Sequence, residues 1–233
     1  MKYLVSSNEY SEAKHMAASL PNITLNNRQL CDIELLLNGG FAPLKGFINN
    51  KDYDSVCESM RLADGTLWPI PITLDITEEK TKNFSIGEQL ALRDQDGFLL
   101  ALLLIEDIWI PDRKIEAQQV FGTSDDFHPG VSYLLYQSKP VYVGGVLKGL
   151  ALPKHYNYST LRHTVPELKA EISYLNWKNI VAFQTRNPMH RAHVEITQRA
   201  MANAGANLLI QPVVGMTKPG DMDHHTRVRC YQH

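Results

Sequence analysis

Cysteine is scarce: Cys31, Cys57 and Cys230 are the only three in 233 residues. An odd number set far apart excludes a disulfide framework and any Cys-x-x-Cys metal site, and it suits a reducing cytosol. Long apolar runs are also missing. The longest, Phe98 to Ile105, covers eight residues and ends at Glu106 and Asp107. A bilayer span needs about 20, so no membrane crossing is expected. The opening segment, Met1 to Tyr10, holds one Lys and only Tyr3 to Val5 as an apolar stretch, unlike a signal peptide. An excess of positive charge is lacking too, with 23 basic and 25 acidic side chains. That balance gives no support to a whole-chain nucleic-acid binder. Three motifs are absent as well: a Gly-x-x-x-x-Gly-Lys loop, a Gly-x-Ser-x-Gly elbow, and a dinucleotide fingerprint after the strand expected at Ile180.

What is present can build a core. Hydrophobic residues make up 44% and charged ones 21%, with no low-complexity tract or repeat. Charge is uneven along the chain. Residues 1–183 carry a balance of −5, whereas residues 184–233 carry +3 from Arg186, Arg191, Arg199, Lys218, Arg227 and Arg229 against Glu195, Asp221 and Asp223. Five of the nine histidines, His190, His193, His224, His225 and His233, fall in that same stretch. A basic, imidazole-rich segment suits a small anionic ligand, although a solvated basic surface has the same composition.

The pattern predicts an α/β protein, α+β overall, in two styles. Residues 1–160 read as a β-rich domain. A strand is expected over Leu67–Ile76, pushed to an edge by Pro69 and Pro71. Gln89–Arg93 and Phe98–Ile110 form a hairpin through Asp96-Gly97. Helices are expected over Asn26–Leu37, stopped by Gly39-Gly40, and over Lys51–Leu62. Residues 161–233 change style. Thr164 can cap a helix running to Trp177, then Ile180–Phe183 reads as a buried parallel strand. A helix over Pro188–Ala204 and the run Leu208–Ile210 complete a βαβ unit. In open α/β sheets ligands sit beyond the carboxyl ends of the strands, which directs attention to the turn after Phe183.

That turn reads Gln184-Thr185-Arg186-Asn187-Pro188-Met189-His190-Arg191-Ala192-His193. Asn187 suits an N-cap and Pro188 a first helical position. Free N–H groups and the helix dipole there favour phosphate or sulfate. Arg186 adds a planar fork that fits a tetrahedral oxyanion, and Gln184 a neutral donor. His190 and His193 fall three apart in the first two turns. Met189, Ala192, Ile196 and Ala200 mark an apolar stripe, and Arg191, Glu195 and Arg199 a solvated ion-pair face. His193 lies close enough to the stripe to be a packed histidine instead. A metal bound by the protein is not expected, because the zinc-protease spacing is i, i+4 with a Glu between, and Arg191 would repel a dication.

The same ten residues closely resemble the signature of the ATP sulfurylase (sulfate adenylyltransferase) family. Gly215-Met216-Thr217-Lys218-Pro219-Gly220-Asp221-Met222-Asp223-His224-His225-Thr226-Arg227 and Gly39-Gly40-Phe41-Ala42-Pro43-Leu44-Lys45-Gly46-Phe47 look like that family too. The resemblance implies an N-terminal PUA-like domain over 1–160 and the first part of a Rossmann-like adenylyltransferase domain over 161–233. It implies a reaction of ATP with sulfate giving adenosine 5′-phosphosulfate and pyrophosphate, with Mg2+ carried by ATP, in a cytoplasmic homo-oligomer. A further family motif, Gly-Arg-Asp-His-Ala-Gly, would come later than His233, so the chain reads as a C-terminally truncated catalytic domain.

On that resemblance Gln184 and Arg186 bind sulfate. Thr185, Arg186, Asn187, His190 and His193 are catalytic, and Gln184, Thr185, Arg186, Asn187, His190 and His193 contact ATP. Asp223, His224 and His225 either border the triphosphate or form a solvent-facing loop. Two rival readings stand beside this one. An adenylyltransferase for another oxyanion would use the same helix start. A PUA-like module retaining only RNA binding would have to overcome the −5 balance of residues 1–183.

Overall fold

A computed structural model describes residues 4–215 and 220–232. The chain divides into two units, Met1–Pro166 and Glu167–His233. Among the described residues no helix is long and apolar enough to cross a membrane.

The first unit contains α1 (Ser7–Met16), β1 (Asn22–Thr24), α2 (Asn27–Asn38), β2 (Gly46–Phe47), α3 (Asn50–Ser59), β3 (Leu74–Ile76) and α4 (Glu78–Thr81). It continues with β4 (Gln89–Arg93), β5 (Leu99–Trp109), α5 (Arg113–Phe121), α6 (Pro129–Tyr136) and β6 (Val141–Gly149). One sheet runs β1-β4-β5-β6-β2, with β3 also on β6. The β4–β5 hairpin forms as expected, antiparallel with Gln89 opposite Leu104, and Gly97 takes φ 86° in its turn. Most of the apolar run at 98–105 is covered on both faces, while Phe98 and Leu104 stay exposed. Leu100, Leu103 and Ile105 enter the main core with Leu90 and Leu92, while Leu99 and Leu102 join Ala13 of α1 and its C-cap Ala17 on the other side.

Local signals decided several boundaries. Asn26 caps α2, accepting from Gln29 N–H at 2.9 Å, and Gly39 ends it in the left-handed region at φ 85°. The strand expected over 67–76 is shorter, only Leu74–Ile76 pairing with β6. Pro69 and Pro71 have no N–H to give a ladder, and Leu67 makes just an isolated bridge with Arg61. The helix expected over 51–62 stops at Ser59, because Met60 turns left-handed at φ 55°.

A polar knot ties α2 to β3 and α6. Arg28 donates to Asp32 at 2.6 Å, to Thr73 O at 3.2 Å, to Tyr133 OH at 3.3 Å and to Asp75. Asp75 is 2% exposed and also accepts from Gln29 and from Lys139 N–H. Burial pushes the Asp32 carboxyl up to about 6; Arg28 opposes that rise and the Asp75 charge adds to it. The protonated acid is therefore favoured in the fold, so its stabilisation is full below about pH 4 and lost as pH rises through about 6. Asp32→Asn should remove that slope. The fall in melting temperature between pH 4 and 7 should shrink by the equivalent of about 1–2 kcal/mol. An unchanged slope in a thermal-melt series would show that another group carries it.

The second unit holds α7 (Val165–Tyr174, its first residues shared with the first unit), β7 (Ile180–Thr185), α8 (Arg191–Ala204), β8 (Asn207–Pro212) and α9 (His224–Gln232). The helix expected to reach Trp177 ends at Tyr174, where Asn176 turns left-handed at φ 54°. β7 and β8 pair in parallel from Ile180 opposite Asn207 to Thr185 opposite Pro212, as the βαβ reading requires. The expected burial does not follow. Two strands are all this sheet has among the described residues, and Ile180 is left exposed. The stripe expected on α8 is also overturned: Ala192 and Ile196 are exposed, and the buried position is Thr197.

Candidate functional site

The helix after β7 starts three residues later than its local signals suggest. His190, not Asn187, is the N-cap of α8, with φ −75° and ψ 158°. Asn187 is committed elsewhere: its Oδ1 accepts from Met222 N–H at 3.0 Å, and its carbonyl accepts from Tyr231 OH at 2.9 Å. Thr185, 8% exposed, donates its hydroxyl to the same carbonyl at 2.5 Å and accepts from Asn187 N–H at 3.3 Å. Residues 186–190 therefore form a braced turn held to the 220–223 segment and α9, and not a first helical turn.

His190 and His193 replace the usual hydroxyl and carboxamide of a capping box. His190 Nδ1 accepts from Ala192 N–H at 3.3 Å, and His193 Nδ1 accepts from His190 N–H at 3.2 Å. The expectation that both histidines lie in the first two turns of the helix is thus corrected, since His190 is the N-cap and only His193 is helical. Its ring lies against Phe183 of β7, with centroids 5.6 Å apart and 45° between planes.

Arg186 directs both Nε and Nη2 at Asp221 Oδ2, at 3.1 and 3.0 Å. Its guanidinium remains 40% exposed at the carboxyl end of β7, while Asp221 is 13% exposed. Gln184 is exposed two positions earlier, opposite Gln211 of β8. The +3 balance is thus partly spent inside the unit. Arg199 pairs with Glu195 at 2.7 Å, Arg186 with Asp221, and Arg227 is wholly buried.

Arg227 was not singled out by spacing, yet it organises this end of the sheet. It is 0% exposed and donates to Val213 O and to Met222 O, the latter at 2.5 Å. Tyr231 was missed as well; only its place in the C-terminal helix brings it to Asn187. Asp223 serves α9 directly. Its Oδ1 accepts from Thr226 N–H at 3.0 Å, and that bond holds the carboxyl below the usual range. The His224 and His225 rings stack 4.2 Å apart. Among the described residues no group of three or more His, Cys, Asp or Glu side chains is placed to hold a metal ion. Met216 to Pro219 of the later motif, Lys218 included, lie outside the described residues, as does His233.

Comparison with known proteins matches both halves. A PUA-like domain profile covers residues 1–152, and an ATP-sulfurylase profile covers residues 159–233. Curated relatives named sulfate adenylyltransferase include one from Gibberella zeae, 52% identical over 225 residues, 95% of this chain and 39% of the relative. The relative from Candida albicans is 52% identical over 229 residues, 93% of this chain and 43% of its own length. That from Schizosaccharomyces pombe is 50% identical over 218 residues, 93% and 44% respectively. The chain thus spans about two fifths of the length of these relatives. A solved structure, the hexameric APS kinase from Thiobacillus denitrificans, is 31% identical, with TM-score 0.79 over 98% of this chain and 41% of that one. With its mixed α/β fold and a PUA-like domain ahead of the β7–α8–β8 unit, the chain belongs to the ATP-sulfurylase family.

Proposed function

We propose that the chain carries the sulfate-activating site of a sulfate adenylyltransferase. It would transfer the adenylyl group of ATP to sulfate, giving adenosine 5′-phosphosulfate and pyrophosphate. One observation carries the reading: the Arg186 fork already grips an oxyanion, the Asp221 carboxylate, beside the start of α8. Sulfate is fully ionised at neutral pH and needs no general base. The work left is to bring a dianion against a polyanion, in line with the α-phosphorus, and to stabilise the charge that moves onto pyrophosphate.

Arg186 and Gln184 would hold sulfate. His190 and His193 would donate to phosphate oxygens of ATP, whose Mg2+ arrives with the nucleotide as substrate. Thr185 and Asn187 would act through the braced turn, fixing where Arg186 and His190 stand. The division near residue 160 would separate this site from the PUA-like domain. The relatives' names and the hexamer in the solved structure's title support ATP and sulfate as substrates and a homo-oligomer as the working form. A cytoplasmic setting agrees with three unpaired cysteines.

The test is sulfate-dependent pyrophosphate release from ATP, measured on the chain joined to the C-terminal remainder of the Candida albicans relative. Arg186→Lys keeps the charge but loses the planar two-point grip. Loss of one charge-assisted hydrogen bond, about 1.5–3 kcal/mol, should lower kcat/KM for sulfate roughly tenfold to hundredfold. Near-normal turnover by the lysine variant would remove Arg186 from the sulfate site. No sulfate-dependent release by the parent would sink the reading itself.

A further inference from the structure

Helix N-caps are ordinarily Ser, Thr, Asp or Asn, with Glu or Gln at the third helical position reaching back. A capping hydroxyl donates and accepts at the same atom, and a capping carboxylate only accepts, so neither carries a donor on its far side. α8 uses two imidazoles in their place, and an imidazole has two ends. A ring nitrogen can accept an N–H only if it carries a lone pair. His190 Nδ1 accepts from Ala192 N–H, and His193 Nδ1 accepts from His190 N–H. In each ring the proton must then sit on Nε2, across the ring from the cap.

We infer that His190 and His193 form a reciprocal cap that fixes both rings as Nε2–H tautomers, so that each supplies one neutral, outward N–H donor to a phosphate group at the start of α8. The tautomer assignment stands on the cap alone, whereas the phosphate destination rests on the adenylyl-transfer reading above. Phe183 packs near the His193 ring, at 5.6 Å between centroids and 45° between planes. Cap and imidazolium exclude each other, because a doubly protonated ring donates at both nitrogens and cannot accept from the backbone. The pair thus adds directional donors beside Arg186 without adding formal charge. Each residue holds the other's function in place. His193 fixes the backbone of His190, whose side chain in turn closes the first turn that carries His193. In the same way, a hydrogen bond at one nitrogen of a metal-bound histidine sets the chemistry at the other.

The decisive measurement uses the unsubstituted 233-residue chain, so it does not depend on a variant folding. Long-range proton–nitrogen NMR at about pH 8, above the ordinary imidazole range, reads the tautomer of each backbone-assigned histidine. His190 and His193 should both show an unprotonated Nδ1 and a protonated Nε2, with no second tautomer. A mixed or Nδ1–H pattern at either ring overturns the inference. Amide exchange gives an independent readout. His190→Ala should speed exchange at the Ala192 N–H, and His193→Ala at the His190 N–H, each by about tenfold, the equivalent of one lost hydrogen bond. Asn at either position places Oδ1 where Nδ1 stood and should keep exchange slow. Alanine variants that exchange as slowly as the parent also overturn it.

Turnover in the joined chain separates the two layers. Asn variants keep the cap but lack the distal donor, so kcat should fall about a hundredfold, as for Ala, with the sulfate KM little changed. Full turnover by the Asn variants would overturn the phosphate-donor role while the tautomer result tests the cap.

Discussion

Gly145→Ala should cost the first unit about 4 kcal/mol or more, the range of exceptional single substitutions. A Cβ at Gly145 would lie 2.0 Å from Leu104 O, and that obstacle is backbone on the neighbouring strand β5. Two further glycines share the seam. A Cβ at Gly46 would stand 2.0 Å from Gly145 O, and one at Gly144 would stand 2.2 Å from Ile48 O. The register of β5 and β6 shifts here, between Ile105 and Asp107, so the strands already bend to pass one another. Gly40→Ala makes the contrast. Its Cβ would meet Leu35 Cδ2 at 2.8 Å, the far end of a side chain that can rotate away, and the cost should stay near 1 kcal/mol. Melting temperatures of the two variants measure the difference. At about 2–4 °C per kcal/mol for a unit of this size, Gly145→Ala should melt roughly 10 °C lower or more. Equal melting of the two variants would show that the seam yields.

Arg227→Met should destabilise the second unit by about 2–4 kcal/mol. Methionine fills much of the same apolar volume, so the loss is polar. The carbonyls of Val213 and Met222 would lose the donors of a side chain that is itself 0% exposed, at about 1–3 kcal/mol for each group left unsatisfied. Exchange of the β7 and β8 amides should accelerate together, because Val213 also donates its N–H to Thr185 O at 2.9 Å. Protection in the first unit should not change. Wild-type protection throughout β7 and β8 would mean that Arg227 merely fills space.

These residues show what a sequence displays and what it hides. The β4–β5 hairpin and the capped helix α2 were legible because each is decided within a dozen residues, by alternation, by Asn26 and by the glycines at 39 and 97. The start of α8 was not. Asn187-Pro188 is a sound local signal for a helix start, but a bond from Met222, far along the chain, claims the Asn187 side chain and moves the cap to His190. Histidine is a poor advertisement for a cap, so nothing nearby announced the change. The basic segment at 184–233 was legible as a cluster of charges, whereas the use of each charge was not. Arginine belongs on surfaces by composition, and Arg227 lies in the interior because two carbonyls at the end of β8 and in the next loop need a donor that spans them. The stripe on α8 failed for another reason. Periodicity marks which residues could be covered, and with two strands in the sheet among the described residues the covered position is Thr197.

β6 pairs with β2, β3 and β5 at once, which has a kinetic meaning. Gly46 must wait for Val146, and Leu74 for Val143, while the β4–β5 hairpin closes over a few residues. Loop-closure entropy is therefore met early for the hairpin and late for β2 and β3. During synthesis, β2 and β3 leave the ribosome with no strand to receive them until residues 141–149 emerge. A nascent chain halted before Val141 would hold the hairpin, with β4 able to receive β1, and unpaired strands β2 and β3, which would join in one late step when β6 arrives.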